Sequence, residues 1–303
     1  MVVISLPLLL QICLSLVALV SLLMLFGALA IAWFSIHPPK FKNRHSPADF
    51  AATYEEIEFN SADGTSLQGW YVPSIGADCT LILAHGMSAN RSQMIPWASW
   101  LWRAGYSILL FDFRALGASA GDICTMGLRE PEDISAAVGY LQSRNDWVPQ
   151  RVGVFGFSMG GTSAMIAAAS DERIHFVISH GAYADLDRAI YQRCRKHFGP
   201  LAPPVEMLAR KFGQRWFPVA AEDISALRVM KELSPRPLLL LNGAHDNIVK
   251  PKNALDLRNN YDSAELWILP NSAHAYPAMQ DEAEYRGRVL TFIESSLCVD
   301  SFE

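Results

Sequence analysis

The residues most suggestive of chemistry are Gly156-Phe157-Ser158-Met159-Gly160-Gly161, a G-x-S-x-G pattern. Glycines two residues to either side of a serine let a strand turn sharply into a helix, with the hydroxyl at the apex. The flanks fit: residues 152–155 are apolar, and residues 162–169 are small and helix-prone. Such a turn strains the serine backbone. The start of the following helix brings partial positive charge to a developing oxyanion. The chemistry implied is attack of Ser158 on a carbonyl, with the Met159 N–H as one oxyanion donor. G-x-S-x-G alone is also compatible with an ordinary tight turn. The strand before it and the helix after it point to a nucleophile.

A serine hydroxyl is a weak nucleophile and needs an adjacent base, itself oriented by a carboxylate. The chain has eight histidines, with no His-x-His or HExxH pattern. The five cysteines (Cys13, Cys79, Cys124, Cys194 and Cys298) form no CxxC pair. No metal centre and no redox motif are therefore expected. A chain of 303 residues needs no disulfide staples, so scattered free thiols and a reducing compartment for the folded part are the expectation. The net charge of −5 argues against a general nucleic-acid binder. With 51% hydrophobic and 18% charged residues, the chain is not a disordered one. The absence of an internal repeat excludes solenoids and propellers.

The elements that must position these residues begin near Phe50. Residues 54–59 and 67–72 flank Asp63-Gly64, a hairpin signal. Short apolar runs follow at 81–84, 107–111, 152–157, 176–179, 238–241 and 266–269, with helical stretches between them. Near-continuous apolar strands suit a mostly parallel sheet covered by helices on both faces. A barrel of eight βα units is the alternative; the opening hairpin and the irregular gap before Leu238 disfavour it. Open α/β sheets place their sites at the carboxyl edge, so a base and an acid should follow strand ends.

With these motifs the chain resembles the α/β-hydrolase family of serine hydrolases. Within it, the chain is similar to the branch of serine-aminopeptidase-like hydrolases, monoglyceride lipases and membrane-anchored acyl-protein thioesterases. The resemblance runs from about Tyr54 to the C-terminus. His85-Gly86 is similar to the family's oxyanion loop. Asp112-Phe113-Arg114-Ala115-Leu116-Gly117-Ala118-Ser119 is similar to its D-x-R-G-x-G-x-S turn, with Ala115 where glycine is usual.

The resemblance implies the chain order nucleophile, acid, histidine. Asn242-Gly243-Ala244-His245-Asp246 resembles the family's G-x-x-D after the penultimate strand, which makes Asp246 the acid. Asp185 is the alternative, because some lipases carry the acid there. His274, after the last strand, becomes the base. Met87, directly after His85-Gly86, becomes the second oxyanion donor through its N–H. No cofactor is implied. A helical lid is expected at about 186–234, between the sixth and seventh strands. Its first part is basic and aromatic, with Arg188, Arg193, Arg195, Lys196 and Arg210 among Tyr191, Phe198, Phe212, Trp216 and Phe217. Such a surface suits a solvated cap and also contact with anionic lipid.

Residues 2–36 contain no Asp, Glu, Lys or Arg. The apolar run 8–34 is long enough to cross a bilayer as a helix. Pro7 sits near its start, and Trp33-Phe34 lie where an interfacial aromatic belt belongs. No basic residue precedes the run, which is longer than a signal-peptide core. An uncleaved single-pass anchor over 1–36 is therefore expected, with a cleaved signal peptide as the alternative. His37-Pro38-Pro39 with Lys40, Lys42 and Arg44 form a basic, proline-stiffened linker over 37–50. A positive flank after the span puts the catalytic domain, 51–303, on the cytoplasmic side.

The expected activity is cleavage of carboxylic esters or thioesters by a membrane-tethered serine hydrolase, acting on a small-molecule, lipid or acyl substrate. A serine peptidase or aminopeptidase of the same fold is the first alternative. A binding protein on an inactive hydrolase fold is the second. Haloalkane dehalogenase and epoxide hydrolase chemistry would need Asp at Ser158.

Overall fold

The structure, a computed structural model, describes residues 5–145, 151–216, 220–274 and 282–298. In chain order the elements are α1 (Leu6–Ile36), β1 (Glu55–Asn60), β2 (Ser66–Val72), β3 (Cys79–Ala84), α2 (Ile95–Arg103), β4 (Ser107–Phe111) and α3 (Glu130–Ser143). Then come β5 (Arg151–Phe157), α4 (Met159–Ser170), β6 (Ile174–His180), α5 (Leu186–Phe198), α6 (Ala202–Trp216) and α7 (Met230–Leu233). The chain closes with β7 (Leu238–Gly243), α8 (Lys252–Asn259), β8 (Glu265–Leu269) and α9 (Glu282–Cys298). Every strand expected from the apolar runs is present.

The eight strands form one sheet in the order β1-β2-β4-β3-β5-β6-β7-β8. β1, β2 and β4 pair antiparallel, and all later pairs are parallel. The hairpin turns at Gly64, whose φ of +83° needs glycine. The sheet is open, so the barrel alternative is excluded. β3 and β4 are buried along their whole length, because alternate residues enter two separate cores. Ile82, Leu109 and Val154 pack with Ile134 and Val138 of α3 and Met165 of α4 on one face. Leu81, Leu83, Ile108 and Phe155 pack with Trp97 and Leu101 of α2 and Val289 and Phe292 of α9 on the other.

The register carries the functional consequence. Ala84 pairs with Gly156, Phe157 with His180, His180 with Leu241 and Gly243 with Leu269. The loops after β3, β5, β6, β7 and β8 therefore leave the sheet at one edge.

The lid between β6 and β7 consists of α5, α6, short 3-10 turns and α7, as the resemblance implied; Phe217 lies outside the described residues. One feature differs from a free anchor on a linker. Residues 6–26 of α1 are exposed apart from Met24, but the end of the helix packs on the lid. Ala28 is buried with Cys194 of α5 and Ala202, Val205 and Ala209 of α6. The linker is also fastened to the domain. Cys124 donates its N–H to the Ile36 carbonyl at 2.8 Å, Lys40 Nζ donates to the Ser119 carbonyl at 2.8 Å, and Asn90 Nδ2 donates to the Phe41 carbonyl at 2.9 Å.

Candidate active site

Ser158 stands between β5 and α4 with φ +53° and ψ −117°, a conformation that L-residues rarely adopt. Three features hold it there. Its N–H donates to the His180 carbonyl at 2.8 Å. Its own carbonyl accepts the N–H groups of Gly161 and Thr162 at 2.9 and 3.1 Å. The two flanking glycines permit the close approach. A β-carbon at Gly156 would lie 2.3 Å from the Gly160 carbonyl oxygen, and one at Gly160 would lie 2.2 Å from that of Ala84.

His274 and Asp246 come to the same point from loops after β8 and β7. The Ser158 Oγ–H lies 3.1 Å from His274 Nε2, the geometry for donation to it. His274 Nδ1 donates to Asp246 Oδ2 at 2.6 Å. The other carboxylate oxygen, Oδ1, accepts the N–H groups of Ile248 and Val249 at 2.8 Å each. The Asp246 side chain is fully buried, whereas the imidazole remains partly open to the cavity. An ionised carboxylate only accepts, so it fixes the His274 proton on Nδ1 and leaves Nε2 free to take one from Ser158. Asp185, the alternative acid, is occupied elsewhere. It accepts from the Ser225 hydroxyl and lies 3.4 Å from Arg188, which fastens the start of the lid.

The loop after β3 faces the serine: a β-carbon at Gly86 would lie 3.4 Å from Ser158 Cβ. His85 holds this loop in place. Its Nε2 accepts the Phe113 N–H at 3.1 Å, and its Nδ1 donates to the Gly86 carbonyl at 2.7 Å. Burial keeps its pKa below the ordinary imidazole value, so the ring stays neutral and this tautomer is retained. Gln93 Oε1 accepts the Gly86 N–H at 2.8 Å. The Met87 and Met159 N–H groups make no hydrogen bond among the described residues. Both residues line the cavity that contains Ser158 and His274. Donors without an internal acceptor on either side of a serine hydroxyl are suited to a carbonyl oxygen gaining charge.

The Asp112–Ser119 turn supports this edge from beneath. Asp112 accepts the N–H groups of Arg91 and Ala118 at 2.6 and 2.8 Å. Arg114 is buried against Asp133, with Nη2 donating to Oδ1 at 2.6 Å. Ala115, where glycine is usual, takes φ +61°, which explains the family's preference there.

The cavity over Ser158 measures about 300 Å³. Met87, Met126, Tyr183, Leu186 and Ile190 form much of its wall, and Arg193 and Lys196 add positive charge. Glu130 sets one side by accepting from the Thr125 and Gly127 N–H groups at 2.7 Å each, which places Met126. Ile31 and Ser35 of α1 also line this cavity. Residues of the N-terminal helix were not among the expected site residues. The trace in the sequence is the small-residue run Gly27, Ala28, Ala32 and Ser35, a helix-packing signal. Among the described residues, no group of three or more His, Cys, Asp or Glu side chains converges as metal ligands do.

The open, mostly parallel sheet with a strand–serine–helix turn at its carboxyl edge defines a hydrolase of the α/β-hydrolase fold. A family model described as X-Pro dipeptidyl-peptidase (S15 family) matches residues 45–211, and the chain belongs to this family. The match includes the 85–87 loop and Ser158, and ends before Asp246 and His274. An uncharacterised protein of Salmonella typhi, YfhR, is 30% identical over 256 residues, covering 81% of this chain and 83% of that protein. The thiohydrolase aneE of Aspergillus aculeatus is 35% identical over 134 residues, covering 42% of this chain and 41% of that protein. Among solved structures, the Pyrococcus furiosus esterase Pf2001 superposes with a TM-score of 0.72 at 26% identity, covering 86% of this chain and 98% of that one.

Proposed function

We propose that this chain is a serine hydrolase, tethered to a membrane by α1, that cleaves carboxylic esters or thioesters through an acyl-enzyme on Ser158. The observation that carries the reading is the continuous hydrogen-bonded line from Ser158 through His274 to Asp246. In the first half-reaction Ser158 Oγ bonds to the substrate carbonyl carbon while its proton passes to His274 Nε2. The carbonyl electron pair moves onto oxygen, which the Met87 and Met159 N–H groups receive. The intermediate then collapses: the bond to the alcohol or thiol breaks, and the imidazolium returns its proton to that leaving group. In the second half a water gives its proton to His274 and its oxygen to the acyl carbon. The free acid leaves and Ser158 regains its proton. Asp246 orients the imidazole and stabilises its charged form throughout.

The likeness to an esterase and to a thiohydrolase supports esters and thioesters. The family match favours a second reading, peptide cleavage by the same route. A free amino terminus needs acidic partners, however, and the charged residues lining the cavity are Arg193 and Lys196. Kinetics on short acyl esters beside aminoacyl amides decide between the two. The ester reading predicts turnover of the esters at least about tenfold faster; faster amide cleavage would replace it.

α1 is the one helix among the described residues long and apolar enough to cross a membrane, and a signal sequence passes the same test. At 1.5 Å per residue, its exposed stretch 6–26 is about 30 Å long, close to the hydrocarbon thickness. The burial of its C-terminal end against the lid supports an uncleaved anchor. The basic flank supports a cytoplasmic catalytic domain. Carbonate extraction and protease protection of membranes bearing the full chain test both; a soluble, shortened product would indicate cleavage.

A further inference from the structure

We infer that the cavity over Ser158 takes a single-chain acyl ester bearing an anionic group, with α1 forming a wall of the acyl-chain channel. The inference rests on the acyl-transfer reading above and narrows it to a substrate class.

The first observation is what adjoins the cavity. Beside the chamber over Ser158 lies a second, smaller cavity of about 50 Å³. The two spaces share Ile31, Ser35, Met126, Leu186 and Ile190. The smaller cavity lies between α1 and α6, with Ala209, Gly213 and Ile224 also in its lining. Its walls are mainly aliphatic, with Arg210 and Gln214 also present, and an aliphatic space next to the serine chamber suits a polymethylene chain. Ile31 and Ser35 lie four and eight residues beyond Gly27, about 6 and 12 Å along the helix axis. With residues 6–26 in a bilayer, the channel lies just beneath the membrane surface, within reach of a lipid that stays partly embedded.

The second observation concerns charge. Arg193 lines the chamber from α5 and is partly buried, yet it makes no hydrogen bond or ion pair among the described residues. Lys196, one turn further, also has no partner there. A guanidinium withdrawn from water without a counter-ion is unfavourable; burial pushes the Arg193 pKa down. Arginine presents a planar fork of donors suited to phosphate or carboxylate. Of the two cations lining the chamber, Lys196 is exposed and Arg193 is the partly buried one, which places Arg193 to read the end of the substrate opposite the acyl chain.

The test uses the full chain in neutral detergent micelles, with rates expressed per fluorophosphonate-labelled site so that misfolded protein is not counted. Monopalmitoylglycerol and its phosphate carry the same ester and differ only in the anionic group. The wild type should favour the phosphate by about tenfold or more in kcat/KM, the range of one charge-assisted contact. Arg193→Gln should bring the ratio close to one, mainly through KM, and Arg193→Lys should restore part of it. Palmitoyl-coenzyme A in parallel distinguishes a lipid headgroup from a soluble thioester as the source of the anion; preference for either over the neutral ester supports the inference. Ile31→Trp narrows the channel and should lower the palmitoyl-to-butyryl ratio about tenfold. Equal rates on the matched pair, or Arg193→Gln and Ile31→Trp each slowing both members of their pairs alike, would overturn the inference. Absence of Ser158 labelling and of all ester hydrolysis would instead remove the acyl-transfer reading beneath it.

Discussion

The ring of Phe198, at the end of α5, lies so close to Gly27 of α1 that a β-carbon on the glycine would stand 2.4 Å from its Cζ. Gly27 marks the point where α1 passes from its exposed stretch into the fold. The lid and the N-terminal helix are therefore locked together at this level, and any displacement of α1 reaches the wall of the cavity through Ile31 and Ser35.

Gly27→Leu should force Phe198 aside and loosen this seam. Overpacking of this kind costs about 1–3 kcal/mol, a drop of several degrees in melting temperature for a chain of this size. Adding Phe198→Ala should recover part of the loss, the signature of a direct pair. Thermal unfolding of the four chains of the cycle tests this; an additive cycle would contradict it.

Asp246→Asn separates orientation from packing. An asparagine can still accept the Ile248 and Val249 N–H groups through Oδ1, so the loop should keep its shape. The amide at the other position would face the His274 Nδ1 donor with a donor of its own. We expect kcat to fall about a thousandfold to ten-thousandfold with little change in melting temperature, as for other misoriented catalytic imidazoles. Steady-state kinetics on a short ester checks this, and a loss below tenfold would place the acid elsewhere.

Gly160→Ala tests the turn itself. The new methyl would meet the backbone carbonyl of Ala84, which has no flexible end to move aside. The β3 edge and α4 must separate, carrying Ser158 away from the 85–87 loop. Destabilisation of about 2 kcal/mol or more and loss of fluorophosphonate labelling are expected, read from denaturant melts and gel fluorescence. Wild-type labelling in this variant would contradict the account.

His180 gives a pH dependence of defined sign. Burial, reinforced by the nearby His274, pushes its pKa down to about 3. In the unfolded chain a histidine titrates near 6.5. Below that value the unfolded state binds a proton that the folded state refuses. The stability is therefore full above about pH 6.5 and is lost as pH falls toward 3, at up to about 1.4 kcal/mol per unit for one such group. His85 and His175 are shifted in the same direction, also by burial first, and steepen the wild-type slope. Urea melts between pH 7 and 5 should show stability falling with pH, and a shallower slope in His180→Gln. Equal slopes would exclude His180 as a contributor.

Much of this site could be read from local patterns. The serine turn and the strand ends follow from glycine spacing and short apolar runs, and the resemblance to the α/β-hydrolase family singled out Asp246 and His274 after two of those strand ends. The structure brings all three side chains into hydrogen-bond contact, because parallel register aligns the strand ends at one edge. The role of α1 could not be read the same way. A helix apolar on every face shows no period that marks which side is covered, and Ala28 finds its partners more than 160 positions away in α5 and α6. Arg193 was equally opaque: Arg195 and Lys196 beside it are exposed, and only the packing of α5 turns Arg193 inward. The unusual Ala115 was visible as a departure from the family turn, but its left-handed backbone was not.

The central claim is that Ser158 is an activated nucleophile. The most direct measurement is intact-mass and peptide analysis of the full chain after reaction with a fluorophosphonate, beside Ser158→Ala. The account predicts one adduct per chain, on the peptide carrying Ser158, and no adduct in the variant. Modification of a different residue, or ester hydrolysis persisting in folded Ser158→Ala, would contradict it.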